Sequence, residues 1–109
     1  MLADLFGSQT TEKSLLLVAA LGESYALEIA KTFQISKTQV ARTLLKLEQA
    51  DILIGQDKGR TRVYTLNKGW VLFKELNALL QKALSNVPLD QQEQYFMKRM
   101  RPRKKNKAL

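Results

Sequence analysis

A capped helix with two unlike faces, followed at once by a hairpin pattern, occupies the middle of the chain and limits the folds open to it. Residues 36–39 read Ser-Lys-Thr-Gln, a capping-box pattern in which the serine oxygen accepts from the backbone three residues on and the glutamine reaches back. Val40, Leu44 and Leu47 then recur at the spacing of one buried helix face. We therefore predict a helix over 36–50 that buries one side and exposes the other.

The hairpin pattern consists of two strand-like runs, 52–56 and 62–66. The second run contains Val, Tyr and Thr in succession, residue types that favour extended structure. Residues 57–61 between the runs have turn chemistry, including Gly59, which can take a positive φ. We therefore predict an antiparallel hairpin directly after the helix.

Apolar residues at helical spacing elsewhere predict four more helices. They are expected from Thr10 or Thr11 to Leu21, from Tyr25 to Phe33, from Gly69 (after an Asn67 cap) to Leu84, and from Asp90 to Met100. The fold class is thus mainly α with a small β-hairpin, in the order α-α-α-β-β-α, followed by a short C-terminal helix and a basic tail. We assign residues 1–86 to the main domain and residues 87–109 to the short helix and tail.

Five short runs within residues 10–84 carry a family resemblance. They are 28–31 (Glu-Ile-Ala-Lys), 35–40 (Ile-Ser-Lys-Thr-Gln-Val), 44–48 (Leu-Leu-Lys-Leu-Glu), 50–53 (Ala-Asp-Ile-Leu) and 59–64 (Gly-Arg-Thr-Arg-Val-Tyr). In these runs and in its order of elements the chain resembles the winged helix-turn-helix transcriptional regulators, above all the ArsR-like group. The resemblance implies a recognition helix at 36–50 in the major groove of DNA, a wing at 57–62 against the minor groove or backbone, and a homodimer paired through terminal helices.

Two departures from that group limit what the resemblance implies. Asp51 stands where such proteins usually carry glycine after the recognition helix, and we expect it to take the left-handed conformation, which aspartate tolerates better than most residues. The Cys and His ligands of the metal-sensing members are missing. Metal sensing of that kind is therefore not expected.

The chain contains no cysteine and no histidine. Disulfides, thiolate metal sites and nucleophilic sites built on Cys or on Ser with His are therefore excluded. The ten acidic residues are scattered, with no pair at a spacing typical of shared acid–base chemistry. We expect no enzyme activity, no cofactor and no metal site.

The net charge is concentrated at the C-terminus. The chain has 18 Lys and Arg against 10 Asp and Glu, a net charge of +8. Residues 98–109 carry seven basic residues and no acidic one, so they take +7 and leave +1 for residues 1–97. We expect this tail to add non-specific affinity for DNA, with RNA binding and a merely solvated end as the alternatives.

The exposed face of the predicted recognition helix offers hydrogen-bond donors and positive charge. Gln39 is suited to pair with adenine and Arg42 with guanine, each worth about 1–3 kcal/mol of discrimination. The full set of candidate DNA contacts is Lys31, Ser36, Lys37, Thr38, Gln39, Arg42, Thr43 and Lys46 on the helices and Lys58, Arg60 and Arg62 on the wing. The residues alone leave two alternatives open, an ordinary solvated helix face and a hairpin whose charges only keep a strand edge from aggregating.

The predicted helix 69–84 carries more apolar residues than a lone surface helix needs. Its expected dimer seam consists of Leu72, Leu76, Leu79 and Ala83. In the alternative interpretation, the same residues only close the core of the monomer.

Three function classes are open on the sequence. The leading one is a sequence-specific, double-stranded DNA-binding transcriptional regulator, acting as a homodimeric repressor. The others are a winged-helix protein–protein interaction module and a general nucleic-acid or RNA binder that acts through the basic tail. The longest apolar run, Leu15 to Leu21, is too short to cross a bilayer and the N-terminus lacks a signal-peptide pattern, so we expect a cytoplasmic protein with no membrane partner.

Overall fold

A computed structural model describes residues 2–97, which form helices packed against a small antiparallel sheet. The helices are Ala3–Phe6 (α1), Gln9–Leu21 (α2), Ala26–Phe33 (α3), Lys37–Gln49 (α4), Phe73–Ser85 (α5) and Leu89–Tyr95 (α6), and the strands are Ser24–Tyr25 (β1), Leu53–Lys58 (β2) and Thr61–Leu66 (β3). The predicted fold class, mainly α with a small hairpin, is confirmed. Helix α1 and strand β1 are additions to the predicted order, because elements of four and two residues are too short to show a periodic pattern.

Helix α2 lies at the centre of the core and packs against α1, α3, α4 and α5. Its residues 15–18, Leu-Leu-Leu-Val, are all buried, which means that the helix is covered on every side at this level. The Ser8 Oγ accepts a hydrogen bond from the Thr11 backbone N–H at 3.2 Å, so the helix begins at Gln9, one or two residues earlier than predicted.

Helices α3 and α4 form the helix-turn-helix. Helix α3 ends at Phe33, and the next residue, Gln34, has a φ of 57° that turns the chain toward α4. Apolar side chains from both helices enter the core against α2, namely Ile29, Ala30, Val40, Leu44 and Leu47. The observed bounds of α4 fall within one residue of the predicted 36–50 at each end.

The sheet has the strand order β1-β3-β2, with both pairs antiparallel. The register of the hairpin runs from Leu53 opposite Leu66 to Lys58 opposite Thr61. The loop therefore has two residues and not the predicted five, because 57, 58 and 61 continue the strand ladder. Gly59 supplies the positive φ of 63° at the first loop position, which leaves Arg60 at the tip.

Helix α5 begins at Phe73, four residues later than predicted. The Asn67 Oδ1 accepts from the Gly69 backbone N–H at 3.0 Å and the Asn67 carbonyl accepts from Trp70 at 3.1 Å. Asn67 therefore closes a turn after the hairpin and does not cap a helix at 69. The Asn67 side-chain amide donates to the main-chain carbonyl of Asp51. The chain then turns over residues 67–72, and α5 starts only after this turn.

Helix α6 packs against the end of α3 through aromatic rings. The Phe33 ring centroid lies 5.5 Å from that of Tyr95 and 5.6 Å from that of Phe96. The helix ends at Tyr95, so it is shorter than the predicted 90–100, whose last residues lie outside those described, as does the basic tail. The division of the chain at residue 86 stays a prediction. No helix within residues 2–97 is both long and apolar enough to span a membrane.

Candidate nucleic-acid interface

One face of α4 points away from the core and carries most of the predicted DNA contacts. Lys37, Thr38, Gln39, Arg42 and Lys46 are exposed, and Thr43 is half-buried at the margin. This arrangement follows from the sequence, because the buried positions 40, 44 and 47 form one stripe and leave the polar residues on the remaining surface. Within residues 2–97, no hydrogen bond or ion pair engages the side chains of Arg42 and Lys46.

The start of α4 has one half of the predicted capping box. The Ser36 Oγ accepts from the Gln39 backbone N–H at 3.3 Å. The reciprocal bond from the Gln39 side chain to the serine backbone is not made within the described residues. The Gln39 amide is therefore free to offer its donor and acceptor to a base edge.

Two of the residues predicted to contact the DNA backbone lie at helix ends. Ser36 is exposed at the N-terminus of α4, where backbone N–H groups and the helix dipole favour an anion such as a phosphate. Lys31 is exposed in the last turn of α3, the helix that precedes the turn. Lys31 lines a pocket with Glu28 and Tyr95 that includes no residue of α4, and its contact with phosphate stays a prediction.

The three basic residues of the wing differ in the ion pairs that they form. Arg60 is exposed at the tip, and no ion pair within residues 2–97 includes it. Lys58 pairs with Glu23, with 3.2 Å between Nζ and Oε1, but both side chains are about half exposed. Such a surface pair is weak and screened by salt, so a phosphate can compete for the lysine.

Arg62 is held by two carboxylates. Its Nη2 lies 2.5 Å from the Glu48 Oε2 of α4, and its Nη1 lies 2.9 Å from the Asp57 Oδ1 of β2. The hydrogen bonds to Glu48 and then to Asp57 raise the pKa of the Arg62 guanidinium above its ordinary value. Arg62 was predicted to meet DNA, and in this arrangement two of its five N–H donors are used by Glu48 and Asp57.

A shallow groove of about 280 Å³ lies between the first turns of α4 and the wing tip. Lys37 and Ala41 line it from α4, Arg60 and Arg62 line it from the wing, and Leu27 of α3 contributes to it. The predicted recognition helix and wing therefore share one surface. Their positive side chains are brought together by tertiary packing and not by closeness in sequence.

Three residues that shape this surface were missed by the sequence analysis: Glu23, Glu48 and Gly55. The Asp57–Arg62 pair would follow from a two-residue loop, since that register places the two residues opposite each other. The Glu48–Arg62 pair joins α4 to β3, and no local sequence pattern predicts a contact between two such separate elements.

The predicted dimer seam is divided between the core and the surface. Leu72 is 51% exposed and Leu79 is 36% exposed, whereas Ala83 is only 4% exposed and Leu76 packs against the core. Ala83 and Leu76 therefore offer little surface to a partner. The reason is the orientation of α5, which turns Leu76, Leu80 and Ala83 toward the monomer core.

Comparisons with known proteins identify the fold. No family model matches the chain, and no curated protein matches it by sequence. Among solved structures, ZitR of Lactococcus lactis, a doubly substituted variant in its apo form, matches with a TM-score of 0.53 and 23% identity over 78% of this chain and 73% of that one. The adhesin competence repressor AdcR of Streptococcus pyogenes matches with a TM-score of 0.54 and 17% identity over 84% of this chain and 77% of that one.

At these identities the likeness concerns the fold. Helices α2, α3 and α4, the short strand β1 between the first two, and the β2–β3 hairpin directly after α4 reproduce the helix-turn-helix and its wing. The chain has the winged-helix fold.

Proposed function

We propose that the chain binds double-stranded DNA sequence-specifically and acts as a homodimeric transcriptional repressor. The observation that carries the proposal is the exposed face of α4, where the side chains of Gln39, Arg42 and Lys46 have no partner within residues 2–97. A helix fits the major groove and reads base edges with such side chains. AdcR, named as a repressor, has the same fold, which supports this use of it by analogy. Grouping with the ArsR-like regulators stays a prediction from the motifs.

The proposed contacts divide between reading and positioning. Gln39 and Arg42 read bases, with Lys37, Thr38 and Thr43 as further readers. Lys31, Ser36 and Lys46 meet phosphates and fix the register of the helix. Arg60 enters the minor groove and Lys58 meets the backbone beside it. Arg62 is left out of the contact set because Glu48 and Asp57 hold its guanidinium.

The proposed dimer uses the exposed side of α5. Leu79 is exposed on the helix and Val71 and Leu72 are exposed just before its first residue, and a second copy would cover these apolar side chains. Two copies related by a twofold axis would present two α4 helices to successive major grooves. This geometry makes a palindromic site the expected target.

Selection of bound sequences from a random duplex library tests the proposal. We expect enrichment of a palindrome whose half-sites lie about 10–10.5 base pairs apart, or a multiple of that spacing. A chain with Gln39→Ala and Arg42→Ala, selected in parallel, is expected to lose the preference. Binding without any enriched sequence would favour the general nucleic-acid binder. No retention of duplex at physiological salt would contradict DNA binding and favour the interaction module.

A further inference from the structure

Arg62 lies where the wing meets the recognition helix. We propose that Arg62 is a positioning residue whose guanidinium fastens the wing to α4 and so sets Arg60, at the wing tip, relative to the base-reading side chains of α4. The inference rests on the proposed function, since it concerns how the two DNA-contacting elements are held in one geometry. It assigns roles to Glu48, Asp57 and Gly55, none of which is among the proposed DNA contacts.

The guanidinium joins three elements at once. From β3, Arg62 donates through Nη2 to Glu48 of α4 and through Nη1 to Asp57 of β2. A planar fork of fixed N–H donors can serve two carboxylates in this way, which a single ammonium group cannot reproduce. Glu48 is the partner that matters for coupling, because it is the one that belongs to the recognition helix.

The guanidinium of Arg62 lies against one face of the hairpin, next to Gly55. Gly55 pairs with Tyr64 and Asp57 with Arg62, so these four residues share one face of the hairpin. A Cβ added at Gly55 would lie 2.8 Å from the Arg62 Nε and Nη2, and the Tyr64 ring centroid lies 5.9 Å from the Arg62 Cζ. Gly55 does not have a positive φ, so a larger residue at this position would meet the Arg62 side chain and not a backbone restriction.

A phosphate contact is the rival role for Arg62. In that role the guanidinium leaves Glu48 on binding DNA, and the carboxylate only competes with phosphate and repels it. The two roles predict opposite effects of neutralising Glu48. Removing a competing negative charge tightens DNA binding, whereas removing the fastening weakens it, because the wing is no longer held against α4.

Three variants separate the roles when their affinity for a selected duplex is measured by fluorescence anisotropy over a series of salt concentrations. Glu48→Gln removes the charge with little change of shape, Arg62→Lys keeps the charge but loses the fork, and Gly55→Ala changes no charge but displaces the guanidinium. We expect each to weaken binding by roughly threefold to tenfold. Glu93→Gln, which removes the same charge from an exposed position of α6, is the matched control and is expected to bind as tightly as the unmodified chain or slightly more tightly.

Amide hydrogen exchange of the free variants shows whether the wing itself has changed. Faster exchange in residues 53–66, with an unchanged rate in α2 and an unchanged thermal midpoint, is expected for all three. Tighter duplex binding by Glu48→Gln than by the unmodified chain, or unchanged binding by Gly55→Ala, overturns the positioning role. If the unmodified chain binds no selected duplex, both the proposed function and this inference fail. If the unmodified chain binds a selected duplex and the variants give either of the results just named, only this inference fails.

Discussion

Asp51 and Asn67 join the end of the recognition helix to the end of the wing: the Asn67 Nδ2 donates to the Asp51 main-chain carbonyl at 2.8 Å. The Asn67 backbone N–H also donates to the Ile52 carbonyl at 2.9 Å. Asp51 itself has a φ of 65°, the left-handed conformation that was expected for it from the sequence. Asn67 thus closes the base of the hairpin around a residue whose backbone is strained.

The Asp51→Gly variant is expected to be more stable than the unmodified chain. Glycine removes the cost of the left-handed conformation, about 1–2 kcal/mol. It also gives the unfolded chain more conformational entropy, which lowers stability by about 0.4–1 kcal/mol and offsets part of that gain. The free energy of unfolding should therefore rise by roughly 0.5–1 kcal/mol, as measured by urea denaturation. Asp51→Ala keeps the penalty and is the control, expected to be less stable than Asp51→Gly. The reverse order would show that Asp51 is not strained.

The aromatic contact between α3 and α6 gives a second stability prediction. Tyr95 stacks on Phe33, and the Lys13 Nζ lies 5.2 Å from the centroid of the same ring. Tyr95→Ala is expected to lower the free energy of unfolding by about 1–2 kcal/mol, since it removes both the stacking and the buried ring area. Thermal unfolding measures this decrease, and Tyr95→Phe, which keeps the ring, is expected to stay near the unmodified chain. An equal decrease in both variants would mean that the hydroxyl, and not the ring, stabilises α6.

The elements that could be predicted from sequence are those set by local rules. Helix α4 has a capping serine and an apolar stripe, so its type and bounds follow from residues within it. The left-handed conformation of Asp51 was expected from the resemblance, because the resembling proteins usually carry glycine at this position. The short loop did not follow, because Asp57 and Lys58 are poor strand formers that are paired only through the partner strand.

Features that depend on how elements pack could not be predicted in the same way. The apolar strip of α5 is broad enough to satisfy either the monomer core or a partner, and only the packing on α2 assigns Leu76 and Ala83 to the core. The candidate DNA contacts share a surface with the wing, but the pairing of Arg62 with Glu48 changes what one of them can do. Composition and periodicity carry no information about such a contact between distant elements.

Base reading and backbone contact are expected to give different mutational signatures. Arg42→Ala should relax specificity at one base pair of each half-site, with a cost of about 1–3 kcal/mol there. Arg60→Ala should weaken binding across sequences and lower the salt slope by up to about 0.9. Competition binding with single-base variants of the selected site measures both effects, and Lys74→Ala on α5 is the control. Affinities equal to that of the unmodified chain for both variants would contradict the assigned interface.

The dimer proposal is testable at the exposed side of α5. Leu79→Glu places a charge in the proposed contact and is expected to shift the chain from dimer to monomer, because an unpaired charge is costly to bury. Sedimentation velocity over a range of concentrations measures the shift. Gln81→Glu adds the same charge at an exposed position of the same helix and serves as the control. A dimer of unchanged strength in the Leu79→Glu variant would contradict a contact through this surface.

The basic segment 98–109 is expected to raise affinity without setting sequence preference. Its seven positive charges can neutralise phosphates and release counterions, a contribution that does not depend on the base sequence. A chain ending at Met97 should therefore select the same duplex site as the full chain, with a weaker affinity and a salt slope that falls by about 0.9 for each phosphate no longer neutralised. A full-length chain with those Lys and Arg residues changed to Gln separates charge from length and should behave like the truncated one. If truncation abolished all binding while residues 2–97 remained folded, the tail would be the nucleic-acid binding element and the α4 face would lose its assigned role.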